Sequence, residues 1–365
     1  GQAQAALLVP TATMGSSSWL HWPTALATIL AYSFNSQVFV WIGSADFGGK
    51  LFELFLFHVC ASFFLLYFLA RGSTELKTAL AERGKCSLRI FALQVVVGAF
   101  FQMEIYYFWF RASLKLPTQL LAAIFQTAIV LVYVFSLAFL GEKLSCFKAC
   151  AVLLAVLGVV LATFLGECLG QTRGVHMPSG VDLLRGVLLA LGAEVSKALY
   201  QVWFKRSFGD ASPKFALLFG GLVGVAHLFP VLPLVALLHW AGVPDANMVV
   251  SAWTSPQIGL ILLAAAVAGA VNVGSLAVIA MKSPMFWSSI QLLAIPISVI
   301  LDFVFRGIEP SVFNCAGYFV IVIACLMMSG VLAPQAVEAH GEEESSATKT
   351  ADDPSGQHSD SHCLE

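Results

Sequence analysis

Residues 124–147 read IFQTAIVLVYVFSLAFLGEKLSCF. Seventeen uncharged residues, Ile124 to Leu140, stop at Gly141-Glu142-Lys143, and a new apolar run opens at Phe147. Polar and apolar residues do not alternate, as they would on a half-buried strand. Continuous apolarity bounded by glycine and charge is the pattern of a helix with no aqueous face. The pattern recurs along the chain. Ten such runs lie near 23–41, 51–70, 88–110, 117–140, 147–166, 181–205, 213–240, 257–280, 284–305 and 311–331. Each approaches the roughly 20 residues a helix needs to cross hydrocarbon. Their unbroken apolar character argues against a β-barrel.

Composition leads to the same class. Of 365 residues, 59% are hydrophobic and 11% charged, against about 25% charged in soluble domains. With 29 Phe and a mean hydropathy of +0.85, there is too little polar surface to cover a soluble globule. Disorder, collagen and a disulfide scaffold fail on the same figures. The eight cysteines show no CxxC spacing and read as small packing residues, not metal ligands. The expected fold is an all-α polytopic membrane protein with ten transmembrane helices.

Charge sets the expected orientation. With a cytosolic N-terminus, that side receives twelve Lys and Arg, among them Arg71, Lys77, Arg83, Lys85 and Arg89, and the other side six. The positive-inside rule then puts both termini in the cytosol. Residues 1–22 lack the basic start of a signal peptide and form an N-terminal cytosolic segment. The tail, 333–365, holds eight of the 21 acidic residues against Lys349 alone and reads as a disordered cytosolic extension. The segment 71–87 reads as a solvated cytosolic loop.

The two halves share a pattern. Phe139-Leu-Gly141 with Ser145 and Phe147 aligns with Phe305-Arg-Gly307, Ser311 and Phe313 at an offset of 166, which maps spans six to ten onto spans one to five. Five spans per half is odd, so the halves enter the membrane in opposite senses. The expected organisation is a first five-helix repeat over 23–166, a connection at 167–180 and a second, inverted repeat over 181–332. Inverted repeats with a site at their midplane interface are a mark of secondary transporters.

Three stretches carry a family resemblance. Phe139-Leu-Gly-Glu-Lys-Leu-Ser145 with Ala155-Val-Leu-Gly158-Val-Val-Leu-Ala-Thr163 resembles spans four and five of the drug/metabolite transporter superfamily. Ala198-Leu-Tyr200-Gln-Val-Trp-Phe204-Lys205 and Ala294-Ile-Pro296-Ile-Ser-Val-Ile-Leu-Asp302 resemble the sixth- and ninth-span motifs of solute-carrier family 35, subfamily F, nearest its thiamine-transporter-like branch. The resemblance implies ten helices in two inverted repeats and a central substrate site reached by alternating access. Nucleotide-sugar carriers of this superfamily often have Tyr-Gln-x-Lys in span four. Here Phe125-Gln126-Thr127-Ala128 lacks the lysine, which favours a thiamine-like cation and leaves nucleotide-sugar exchange as the alternative. A non-transporting scaffold or receptor on the same fold is the reading from a different class.

Charge at membrane depth costs about 2.5–3.5 kcal/mol even on a mild scale, so each such residue is a candidate. Glu104, beside Gln102, Tyr106 and Tyr107, is a candidate cation or proton site on span three. Glu194 and Lys197, three apart on span six, share a helix face. Glu104 and Glu194 are expected to project into one cavity, with Glu104 coupling protons to transport. Asn35, Gln37, Gln126, Gln201, Asn272 and Gln291 are hydrogen-bonders that tie helices or touch solute. Tyr200 and Asp302 join the candidates through the resemblance, and Asp302 is expected to pair with Arg306. Ala266, Ala270 and Gly274 read as a packing stripe, and His58 as a packed histidine. No phosphate loop, metal spacing or nucleophile motif is present, so neither an enzyme nor a cofactor is expected. The expected partners are a small-molecule substrate and the lipid bilayer, with a homodimer left open and no nucleic acid. The expected location is an endomembrane or the plasma membrane.

Overall fold

The computed structural model describes residues 21–43, 50–83, 87–113, 115–116, 121, 124–143, 145–162, 180–243, 246, 254–307 and 311–329. The acidic tail, nearly all of 1–22 and all but the last residue of the 167–180 connection lie outside them. Among the described residues the regular structure is helical, with no strand. Leu88–Ser113, Pro213–Trp240, Ser255–Met281 and Pro284–Phe305 are each long and apolar enough to cross a membrane, and a bent pair, Phe55–Arg71 with Ser73–Ala81, makes a fifth if it counts as one span. The protein is therefore an all-α membrane protein. Helix also covers part of each remaining run. Of these, Ile124–Leu140, Cys146–Val160 and Val312–Met328 are shorter. His21–Gly43 and Gly180–Phe208 carry Asn35, Gln37, Glu194 and Lys197 at mid-helix.

In chain order the helices are α1 (His21–Gly43), α2 (Lys50–Val59), α3 (Leu66–Arg71), α4 (Ser73–Ala81), α5 (Leu88–Ser113), α6 (Ala128–Phe135), α7 (Cys146–Val160), α8 (Gly180–Phe208), α9 (Pro213–Ala226), α10 (Leu232–Trp240), α11 (Ser255–Met281), α12 (Pro284–Gln291), α13 (Ala294–Arg306) and α14 (Val312–Met328). A 3₁₀ stretch, Cys60–Leu65, joins α2 to α3. A wide π turn, His227–Val231, joins α9 to α10. Pro230 in that turn and Pro233 just beyond it cannot donate the backbone bonds a regular helix needs.

The stretches that align between the halves fold alike. Gly141 ends one helix at φ 69°, and Gly307 ends another at φ 66°. Both sit in the left-handed conformation that a residue without Cβ adopts at little cost. Ser145 and Ser311 then open the next helices, their hydroxyls accepting from the backbone N–H of Lys148 and Asn314. Each hydroxyl satisfies one of the first N–H groups of its helix, which have no partner within the helix itself.

Packing repeats the correspondence. The most extensive helix pairs are α5 with α8, α1 with α11, and α7 with α14. A shift of 166 converts α5–α8 into α11–α1 and maps α7–α14 onto itself. It also relates the α6–α8 contact to the α13–α1 contact. Glycines permit the closest approaches. A Cβ on Gly158 would meet Ile321 at 2.8 Å, and one on Gly192 would meet Phe108 at 3.3 Å. The expected stripe on α11 is displaced. Ala266 is exposed, whereas Ala264, Ala265 and Ala268 pack against Phe57 and Val38, and Gly274 lies against Thr28. Spacing identifies a stripe of small residues, but the neighbouring helix selects which stripe is used.

The segment expected to be a solvated loop contains α4. At Gly72, φ 90°, the chain turns by 120°. Ala79 is then fully buried beside Phe68 and Leu218. Glu82 accepts from the Ser212 N–H at 2.7 Å and from its hydroxyl at 2.6 Å, and Lys214 meets Glu75 at 2.7 Å. The apolar face of α4, masked in the sequence by its charges, docks on α9. Behind it Phe91, Phe204, Phe208, Phe215 and Phe219 form a ring cluster with centroid spacings from 4.9 to 6.4 Å. This end of the helix bundle is tightly filled.

Candidate functional site

Between α1, α5, α8, α11 and α12 lies a cavity of about 600 Å³. Its wall is aromatic and amide-rich, with Tyr32, Trp109, Phe125, Tyr200 and Trp287 beside Asn35, Gln102, Gln201, Asn272 and Gln291. The sequence singled out the amides and Tyr200 but not Tyr32, Trp109 or Trp287.

Twelve of the seventeen described lining residues fall into six pairs 166 positions apart. Asn35 answers Gln201, Ile105 answers Val271, and Tyr106 answers Asn272. Trp109 answers Ser275, Ser113 answers Ile279, and Phe125 answers Gln291. One of these pairs is in direct contact: the Tyr106 hydroxyl donates to Asn272 Oδ1 at 3.0 Å across a separation of 166 residues. The two positions equivalent under the offset thus meet at the wall of the cavity. The offset seen at Gly141 and Gly307, applied to Asn272, would have found Tyr106 from sequence alone.

The polar groups around the cavity are only partly satisfied. Gln102 Nε2 donates to the Tyr200 hydroxyl at 3.2 Å, and Ser288 donates to Gln201 Oε1 at 3.0 Å. Asn35 Oδ1 and Asn272 Nδ2 are buried with no hydrogen-bond partner among the described residues. An acceptor and a donor left open at one cavity are what a polar solute can fill.

Lys197 is the one charged side chain in the described lining. Its Nζ lies 3.6 Å from the centroid of the Phe125 ring and 3.4 Å from Glu194 Oε2. The ring face adds a cation–π attraction. Glu194 is fully buried behind the lysine, and its Oε1 has no hydrogen-bond partner among the described residues. The pair therefore presents a cation toward the cavity and keeps its carboxylate behind it.

The remaining candidates sit elsewhere. Glu104 does not line the cavity. It is exposed on the opposite side of α5, where Ser196 of α8 donates to its Oε1 at 3.2 Å. The expectation of one cavity for Glu104 and Glu194 thus departs from the structure. Residues 102, 105, 106 and 109 take the inner face of α5, and residue 104 lies on the outer one. Tyr107 lines a separate groove between α5 and α8. Gln126 is buried outside the lining, and Asp302 is half-buried on α13. The side chains of Gln37 and Arg306, and with the latter the expected Asp302–Arg306 pair, lie outside the described side chains. His58 is packed as expected. Its ring stacks on His227 at 4.6 Å and meets the Tyr106 ring edge-on at 4.7 Å. Three or more metal-ligating side chains come together nowhere among the described residues.

Comparison with known proteins bears on the fold alone. No family model and no curated protein matches the chain. A solved crystal structure of a protein 16% identical to it superposes with a TM-score of 0.59, covering 86% of this chain and 97% of the other. At that identity the similarity is one of fold.

Proposed function

We propose that this protein is a secondary carrier that moves a small polar organic solute across a membrane by alternating access. Ten spans in two inverted five-helix repeats would surround the solute site. One observation carries the reading: six pairs of residues 166 positions apart line the central cavity, and one pair, Tyr106 and Asn272, is in contact, as an axis relating the two halves would require. Two halves that enter the membrane in opposite senses can exchange conformations about such an axis, which opens one site to each side in turn. The open polar atoms of Asn35 and Asn272 support a solute there. A scaffold has no use for either feature.

The resemblance to solute-carrier family 35, subfamily F, points to a thiamine-like cation. Lys197 favours the second reading, nucleotide-sugar exchange, because the charge that faces the cavity is positive. Proteoliposomes of the purified chain, screened with organic cations, nucleotide sugars and amino acids, separate these readings. Accumulation of one class, competed by its own members, is the expected result. Folded protein that accumulates none of the three would return the chain to the scaffold reading. Orientation has its own test. A cysteine placed at Ser73 should resist an impermeant thiol reagent applied to sealed vesicles from the non-cytosolic side.

A further inference from the structure

A second concavity, of about 560 Å³, lies on the outside of the α5–α8 seam. It is separate from the central cavity and independent of any transport reading. Its lining changes character along its length. At the end of the bundle remote from α4 it is cationic, with Arg111, Lys115 and Arg185. Toward the middle of the helices it becomes apolar, with Phe108, Leu188 and Leu189 beside Gly192. No acidic side chain lines it among the described residues. Asp182 stands next to it, bonded to Lys115 at 2.7 Å. The site is built by close approach of the two helices. Gly186 lies against Leu116 and the Lys115 stem, and Gly192 lies against the Phe108 ring. Leu188 is 60% exposed, so the apolar part faces the bilayer.

We propose that this groove holds one anionic phospholipid, its phosphate among Arg111, Lys115 and Arg185 and an acyl chain along Phe108, Leu188 and Leu189. Arg111 sits in the last turn of α5, Lys115 just beyond that helix and Arg185 in the second turn of α8, where a helix that crosses the bilayer reaches the headgroups. The expected topology puts this end on the non-cytosolic side, so the match rests on local chemistry: an Arg- and Lys-lined end for a phosphate and an apolar floor for an acyl chain. A free anion would use the cations but leave the apolar floor without a role, so the two occupants make different demands.

Native mass spectrometry of the full chain, in detergent micelles doped with phosphatidylglycerol or phosphatidylcholine, tests the proposal. The wild type should retain one phosphatidylglycerol and release phosphatidylcholine. Arg111→Gln with Arg185→Gln should weaken retention about thirtyfold, and either alone about fivefold, from the usual contribution of one basic residue near a membrane surface. Leu188→Trp, which fills the groove and leaves every charge in place, should also displace the lipid. It keeps the test valid if the double variant does not fold. Lys143→Gln with Lys148→Gln removes the same charge from the other end of the bundle and should change nothing. Equal retention of both lipids, retention unaffected by Arg111→Gln with Arg185→Gln and by Leu188→Trp, or displacement by glycerol phosphate at lipid concentrations would each overturn the assignment.

Discussion

Glu194 and Glu104 are both carboxylates well inside apolar runs, and their surroundings are opposite. Glu194 is fully buried, lies behind the cavity wall and meets Lys197 at 3.4 Å. Glu104 is exposed on the outer side of the α5–α8 seam and accepts from Ser196. The first is part of a charge pair beside the cavity, and the second belongs to the outer surface of the bundle. The difference shows that depth along a helix and direction around it are separate variables. A carboxylate's role follows from the direction it faces.

The largest expected effect tests the Glu194 side of this contrast. Glu194→Gln leaves the Lys197 ammonium buried and without its counter-charge, a loss of about 3–5 kcal/mol by analogy with other broken buried pairs. Thermal unfolding in detergent should show a large drop. Adding Lys197→Gln to that variant should recover most of it. A double variant no more stable than Glu194→Gln alone would mean that the pair does not act as a unit.

Solute recognition should respond next. Lys197→Gln alone removes the cation from the cavity wall. Binding of an anionic solute should weaken about tenfold or more, the scale of one lost charge-assisted hydrogen bond, while binding of a neutral solute stays nearly constant. Equal losses for both would assign Lys197 to packing, with no part in selecting charge.

A smaller effect sharpens the picture of the axis. Tyr106→Phe keeps the ring, and with it the edge-on contact to His58, but deletes the bond to Asn272. The cost should be about 0.6 kcal/mol and at most about 1.7, the mean and upper limit for hydrogen bonds between membrane helices. If the axis is the pivot of alternating access, uptake should fall by more than this stability loss explains. Unchanged uptake would reduce the contact to a structural tie.

The smallest effect is expected at Glu104. Glu104→Gln keeps the volume and an acceptor for Ser196, so the melting temperature and the pH profile of uptake should both match the wild type. A flattened pH profile would restore Glu104 to the mechanism and break the comparison with Glu194.

Much of the fold is legible in local sequence because its causes are local. Apolar run length sets the helices and their membrane character. Glycine at 141 and 307, followed by serine at 145 and 311, sets two matching helix ends and starts through backbone freedom and capping. The offset of 166 was likewise readable, and it recurs in helix pairing and in the cavity wall. The Glu194–Lys197 pair was readable because residues three apart on a helix share a face.

What the sequence left open depends on which neighbour each helix face meets. In a soluble protein, water draws polar residues to one side and marks the buried face. A bilayer is as apolar as a helix interface, so that marking is weak here. Only tertiary structure decided that Glu104 turns outward, that α11 packs through Ala264, Ala265 and Ala268, and that the charged segment 73–81 folds as a helix on α9. The same holds for the aromatic residues of the cavity. Phe125, Trp109 and Trp287 carry no polar signal at membrane depth, and become one cavity wall only when helices distant in sequence converge.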